Sequence, residues 1–458
     1  MLSLPSTGRV SVARILSRLL GALLVLFLAG RAALADQEPG YIRDAEIETI
    51  LRTFYTPILK AAGLDPSAVH IYIVNDPGLN SFVAGGQNIF INTGTIIHSE
   101  RPNQLIGIVA HETGHIAGGH LIRTEEALRD ASIKSIIAMV VSAAAVAAAR
   151  GGSGGGGMAP GQDPGLRSFL QFSIAQEAQA DQAGLRFLDR THQSARGLLE
   201  FFQILQQQEL LAGIKEIPYL RTHPLTVQRI EYISEHVKHS PYSDTPDPPE
   251  WVELHKRMKA KLSAFLAPPG AAIRDYPETD NSVAARYARA ISYYRIPDLK
   301  RALPLIDGLI KQEPNNPYFH ELKGQMLFEN GRVREAVGPY QQAVKLAPDT
   351  ALLRIELAQA ELETEDPGLN RDALVQLKAA DRYENRNPDT WRLLAIAYGR
   401  SGDIGNSALA LAEQAMAEGD RPMARQQAER AIKLLPAGSP GRLRAEDIKL
   451  EAERKPPR

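Results

Sequence analysis

Five residues, His111-Glu112-Thr113-Gly114-His115, carry the clearest chemistry in this 458-residue sequence. They lie in a stretch where Leu105, Ile108, Val109 and Ile116 recur at helical spacing, with Asn103 as the expected N-cap. Histidines four apart then sit one turn apart on one face, where two imidazoles can reach a single Zn²⁺. The glutamate beside them can hold a water on that metal and take its proton. The chemistry implied is hydrolysis, with peptide bonds as the leading substrate. A string this short also arises by chance on solvated helices, so the reading depends on a third ligand.

Two residues compete for that place. His120 follows closely, but on a continued helix it lies on the far side from His111, which makes it a packed or solvated histidine rather than a ligand. Glu177, in Glu177-Ala178-Gln179-Ala180-Asp181, lies on a second predicted helix with Asp181 one turn further along. Glu177 would complete a His₂Glu site with an open fourth position. Asp181 would accept the free ring N–H of a ligating histidine and fix its tautomer. Such a pair is common helix decoration by itself; it gains meaning only beside the upstream motif.

The elements that must position these groups are mostly helical. A helix is expected from Tyr41 to about Lys60, followed by strands over Val69–Asn75 and Asn88–Thr93. Phe82-Val83-Ala84-Gly85-Gly86 leads into the second strand, and its glycines leave backbone bare to another chain. Long helices are expected over Leu166–Arg190 and Leu198–Leu211, and another opening at Thr222-His223-Pro224 with threonine as cap and proline at its first position. Residues 136–149 are apolar and alanine-rich, and 151–157 are nearly all glycine. A buried helix with a flexible loop, a lid beside the site, and a peripheral membrane contact by 136–157 all stay open for this segment.

The C-terminal part repeats. Pro314 and Pro348 are 34 residues apart and bracket Gly324, Gly331, Ala336, Tyr340 and Ala343, at the offsets of a tetratricopeptide unit. About four units are expected, stacked into a surface for extended or partly folded chains. The fold class is therefore mainly α with a small β-sheet: an HExxH metallopeptidase domain of zincin type, then an α-solenoid. The expected division is 1–35 signal peptide, 36–240 peptidase domain, 241–281 linker with a helix, 282–440 repeat array, and 441–458 charged tail.

Composition narrows the class further. A hydrophobic content of 44% supports real cores, and a net charge of −1 gives no general pull toward nucleic acid. With no cysteine, any metal must be held by histidine and carboxylate. Arg9, Arg14 and Arg18 precede an apolar run from Leu19 to Ala29, and Ala33-Leu34-Ala35 offers a cleavage site. This pattern predicts export by a cleaved signal peptide, to the periplasm in a Gram-negative cell.

The order HETGH, then EAQAD on a later helix, then Thr222-His223-Pro224 with Arg229 behind it, resembles the M48 class of zinc metallopeptidases, in its exported form with a tetratricopeptide array. The resemblance covers most of the chain beyond the signal. It implies His111, His115 and Glu177 as ligands of one Zn²⁺ per chain, Glu112 as general base, and His223 close to the metal, either steadying the tetrahedral intermediate or capping the zinc at rest. It also implies unfolded or stalled outer-membrane proteins as substrates, with the array docking onto barrel-assembly machinery.

On the residues themselves, His223 is the candidate oxyanion donor, or else only caps its helix turn. Arg229 or Arg221 would hold substrate carbonyls or a carboxylate, or else face solvent. The Phe82–Gly86 strand would pair with an extended substrate by β-addition. The residues alone support a hydrolase fused to a chain-binding scaffold. A periplasmic scaffold or chaperone whose protease site is silent or capped is the competing reading, and a zinc enzyme acting on a non-peptide amide is a third.

Overall fold

The computed structural model describes residues 40–120, 164–212, 223–384 and 387–454. The expected signal peptide, the 136–157 segment, Arg221 and Thr222 lie outside the described residues.

A short strand, β1 (Tyr41–Ile42), leads into helix α1 (Ala45–Ala61). Asp44 caps α1 by accepting the Ile47 N–H at 2.8 Å. Ile47, Ile50, Leu51, Phe54 and Ile58 form its buried stripe. Strands β2 (His70–Val74), β3 (Ser81–Ala84) and β4 (Asn88–Asn92) complete a four-stranded sheet in the order β1-β2-β4-β3. β2 and β4 are parallel; β3 turns back on β4 antiparallel. Gly85 and Gly86 make that turn at positive φ, 56° and 97°, where a side chain would be strained. In the order β1-β2-β4-β3, β3 is a sheet edge.

From β4 the chain enters α2 (Thr93–His98) and α3 (Pro102–Ala117), then α4 (Pro164–Arg190) and α5 (Arg196–Ala212). α3 starts at Pro102 with Arg101 at its N-cap, two residues before the expected Asn103; proline suits the first position because its missing N–H is no loss there. Asn103 instead ties α3 to the start of α5. Its Nδ2 donates to the Ser194 carbonyl and its Oδ1 accepts from the Gly197 N–H, both at 2.8 Å. Helix α6 (Val227–His239) is capped by Thr226, whose hydroxyl accepts the Arg229 N–H at 3.3 Å. The helix expected to open at Thr222 thus begins later, and His223-Pro224 is left in its non-helical approach.

The region expected to be a linker is a structural joint. In α7 (Pro249–Leu266), Met258 and Leu262 belong to the core of the first domain, while Ala260 and Ala264 belong to the core of the first repeat. A short α8 (Pro269–Asp275) follows. The array then runs as antiparallel pairs: α9 (Val283–Arg295) with α10 (Leu299–Gln312), α11 (Pro317–Glu329) with α12 (Val333–Leu346), α13 (Ala351–Glu363) with α14 (Pro367–Tyr383), α15 (Pro388–Arg400) with α16 (Ile404–Ala417), and α17 (Arg421–Leu434) with α18 (Pro440–Glu453). The expected charged tail is thus largely the last helix. Ser439 caps it, and Ala445 and Ile448 bury a narrow stripe beneath its charges. Within a repeat the small residues act as seats: a Cβ on Gly324 would meet the Tyr340 ring at 2.8 Å.

The start of α1 is inserted into this array. Ala45 packs with Tyr318, Leu353 and Leu357. Around it, buried Lys261 pairs with Asp44 at 2.7 Å, Glu46 at 3.3 Å and Glu321 at 3.4 Å. Glu46 also accepts from Arg257, and from the Tyr287 hydroxyl at 2.8 Å. Further out, Arg43 reaches Glu384 at 3.0 Å. Buried charges persist only when mutually satisfied, so this network locks the first domain to the repeats in one orientation.

Candidate metal centre

His111, Glu112 and His115 lie on α3 and are all buried. Two close approaches set the distance between α3 and α4. A Cβ on Gly114 would meet the Ala180 carbonyl oxygen at 2.6 Å, and one on Gly184 would meet the Ala110 carbonyl carbon at 3.0 Å. The helix backbones nearly touch there, which brings Glu177 and Asp181 beneath the two histidines.

His111, His115, Glu177 and His223 present one ligand atom each to a common point. His111 Nε2 is 3.1 Å from His115 Nε2, 3.4 Å from Glu177 Oε2 and 3.3 Å from His223 Nδ1. Glu177 Oε1 is 3.3 Å from His115 Nε2, and His223 Nδ1 is 3.1 Å from Glu177 Oε2. Atoms bound tetrahedrally to zinc at about 2.0–2.1 Å lie about 3.3–3.4 Å from one another. The observed separations therefore fit a single tetrahedral ion.

The donor chemistry fits as well. His111 Nδ1 lies 2.8 Å from Asp181 Oδ1, so its hydrogen goes to the carboxylate and Nε2 keeps a lone pair. His223 Nε2 lies 3.2 Å from the Ser81 carbonyl oxygen, so it carries the hydrogen and Nδ1 keeps a lone pair. Lone pairs and a carboxylate facing one point at these distances repel unless a cation lies among them. Despite burial, which opposes its charge, Glu177 is held far below the usual carboxylate range by His223, His111 and His115.

Asp181 takes the expected place behind His111. Burial opposes its charge, but hydrogen bonds from Arg229 and His111 hold its carboxyl below the ordinary value. Arg229, expected to hold substrate or face solvent, is buried against the carboxylates of the site. Its Nε donates to Asp181 Oδ2 at 2.6 Å, Nη2 to Asp181 Oδ1 at 2.9 Å and Nη1 to the Pro224 carbonyl at 2.8 Å. Nη1 also lies 3.0 Å from Glu177 Oε2, and the guanidinium covers the Phe202 ring at 5.0 Å. Because α6 begins at Val227, Arg229 falls in its first turn and points inward, where its planar fork joins both carboxylates.

Glu112 differs from every other acid of the site. Both its oxygens are buried and make no hydrogen bond among the described residues; the nearest cation-capable group is His223 Nε2, at 3.6 Å from Oε1. Burial raises its pKa above the ordinary value, against the pull of His223 and His111. A carboxylate with unspent acceptors and raised proton affinity is equipped to hold a water and take its proton.

The sheet edge borders this centre. The Asn92 N–H bonds to the Asn80 carbonyl, so by antiparallel alternation Phe82 and Ala84 bond to β4, while Ser81 and Val83 turn their backbone groups outward. The Ser81 carbonyl is the one His223 engages. Of the predicted substrate strand, Val83 offers its backbone on the open edge. Phe82 and Ala84 spend theirs on β4, with the Phe82 ring stacked on Phe90 at 4.9 Å, and Gly85-Gly86 form the turn. Ser81 was not foreseen, because a carbonyl's role leaves no trace in residue type. His120 lies behind His115, outside the ligand set.

Residues 42–237 match the model of peptidase family M48, and 287–351 and 322–385 match a tetratricopeptide repeat. The chain is 24% identical over 367 residues to the beta-barrel assembly-enhancing protease of Yersinia pestis, covering 79% of this chain and 74% of that one. It is 23% identical over 350 residues to a putative beta-barrel assembly-enhancing protease of Vibrio cholerae, covering 74% and 70%. It is 26% identical over 201 residues to the mitochondrial metalloendopeptidase OMA1 of Saccharomyces cerevisiae, covering 40% and 54%.

Proposed function

We propose that this metalloendopeptidase, an M48 peptidase domain joined to tetratricopeptide repeats, is a zinc enzyme of the periplasm that cleaves misfolded or stalled outer-membrane proteins. One Zn²⁺ per chain is held by His111, His115 and Glu177. The observation that carries the reading is the convergence of these donors beside a buried Glu112 with unspent oxygens.

Bound there, Zn²⁺ would polarise the scissile carbonyl and lower the pKa of the attacking water. Glu112 holds that water, takes its proton and returns it to the leaving amine. Asp181 keeps His111 in the tautomer that presents Nε2, and Arg229 keeps Asp181 and Glu177 ionised and in place. An extended polypeptide adds to the β3 edge at Ser81 and Val83, a mode that holds backbone and reads sequence loosely. Such looseness suits unfolded clients. The repeat array binds client chains or barrel-assembly machinery, as the names of the bacterial relatives suggest.

His223 fills the fourth donor position and also occupies the Ser81 carbonyl that a substrate strand would use. This supports a resting state in which His223 caps the site; once withdrawn, its Nε2–H becomes free to steady the oxyanion. The same placement favours the second reading, a chaperone or scaffold whose protease site is mostly capped. The Glu112→Gln variant separates the two. The protease reading expects retained zinc, lost cleavage of an unfolded protein and failed complementation of cells lacking the protein. Full complementation would leave the scaffold.

A further inference from the structure

The chain does not continue as a helix past Ala117. Gly118 closes α3, and Gly119 follows at φ 63°, in the left-handed region that folds the backbone over. His120 is thereby carried back beneath the helix, against the far side of His115. Its Nδ1 lies 3.0 Å from His115 Nδ1, and its Nε2 lies 3.3 Å from Gln179 Oε1 on α4. Gln176, also on α4, donates to the His120 carbonyl at 3.4 Å. His120 is buried.

Two details show a seat built for this ring. A Cβ on Gly118 would meet His120 Nε2 at 2.5 Å and Cδ2 at 2.8 Å, so the position tolerates no side chain while the imidazole is there. The hydrogen-bond chain also runs in one direction. Gln179 Oε1 only accepts, so His120 Nε2 carries the hydrogen and its Nδ1 holds a lone pair. That lone pair accepts the hydrogen of His115 Nδ1 and leaves His115 Nε2 bare toward the donors of the metal centre.

We propose that His120 is a positioning residue: it fixes the tautomer and ring orientation of His115, as Asp181 does for His111. The two histidines of the motif are then each held from behind by a different partner, one anionic and one neutral. A neutral acceptor orients its imidazole without adding negative charge to the site, so His115 is the less strongly polarised of the pair. The assignment rests on the reading of His115 as a zinc ligand.

The test compares the full mature chain with His120→Phe and His120→Asn, using zinc affinity by chelator competition and the melting temperature of the metal-free forms. Phenylalanine keeps the ring shape without an acceptor; asparagine restores an acceptor near the Nδ1 position. The expected result is zinc affinity lowered about 10- to 100-fold in His120→Phe and restored to within about threefold of wild type in His120→Asn. Selective ¹⁵N labelling of histidine should show His115 protonated at Nδ1 in the zinc-loaded wild type and lose that single state in His120→Phe. Unchanged affinity in His120→Phe overturns the assignment alone, as does equal loss in both variants tracking a fall in melting temperature. A wild type that binds no zinc overturns the metal-centre reading and this assignment with it.

Discussion

Gly114 lies directly against Ala180: a Cβ on the glycine would stand 2.6 Å from the Ala180 carbonyl oxygen and 2.9 Å from its Cα. This contact, placed between the two motif histidines and the second-helix acids, sets how deeply Glu177 reaches toward His111 and His115. The obstacle is backbone, so it cannot rotate away.

Gly114→Ala should therefore push α3 and α4 apart at the metal centre. The expected cost is about 1–3 kcal/mol of stability, in the range of a core overpacked by one methyl. Zinc retention should fall with it, because ligand distances to a metal tolerate only about 0.2 Å of error. Denaturant melts and zinc content after dialysis against a chelator check both. A variant with wild-type stability and zinc would show that the helices have slack.

Lys261 is buried among Asp44, Glu46 and Glu321, where α1 enters the repeat array. Lys261→Met should cost about 3–5 kcal/mol, since three carboxylates lose their common cation. The loss should be smaller at pH 5 than at pH 8, because the Glu321 carboxyl, pushed up to about 7 by burial, is protonated at pH 5 and needs no counter-charge there. Limited proteolysis should also cut between the peptidase domain and the array, as α7 is the joint the network braces. Urea titrations at the two pH values measure the difference.

The Glu361 carboxyl on α13 is pushed up to about 7, chiefly by burial and then by Asp372. Its folded state thus favours the protonated form. Stability from this group is present in full below about pH 4.5 and is lost as pH rises through about 7. Glu361→Gln cannot ionise, so the fall in melting temperature between pH 5 and pH 8 should be shallower than in wild type. An identical slope in both proteins would show that Glu361 ionises freely in the fold.

The parts of the site legible in the sequence are those fixed by helical pitch. Residues four apart on one helix must share a face, which is why the sequence alone pairs His111 with His115, and Glu177 with Asp181. The relationship between the two helices was less legible: Gly114 and Gly184 are decisive, but small residues are common on helices and do not announce their partner. A continued helix puts His120 on the far side from His111, whereas Gly118-Gly119 ends the helix and brings the ring against His115. For Arg229 the residue type suggests a hold on substrate or a place in solvent, because its burial depends on two carboxylates some fifty residues away in sequence. The last helix looks like a charged tail in sequence because Ala445 and Ile448 are a sparse apolar signal among charges.

Two helices and one later histidine bring four donors to a common point. Zinc quantification on the purified protein, beside His111→Ala and Glu177→Ala, tests whether that point holds a divalent ion. Close to one zinc per wild-type chain is expected, with loss of tightly held zinc in both variants and the metal-free proteins still folded. Full zinc occupancy in Glu177→Ala would contradict it.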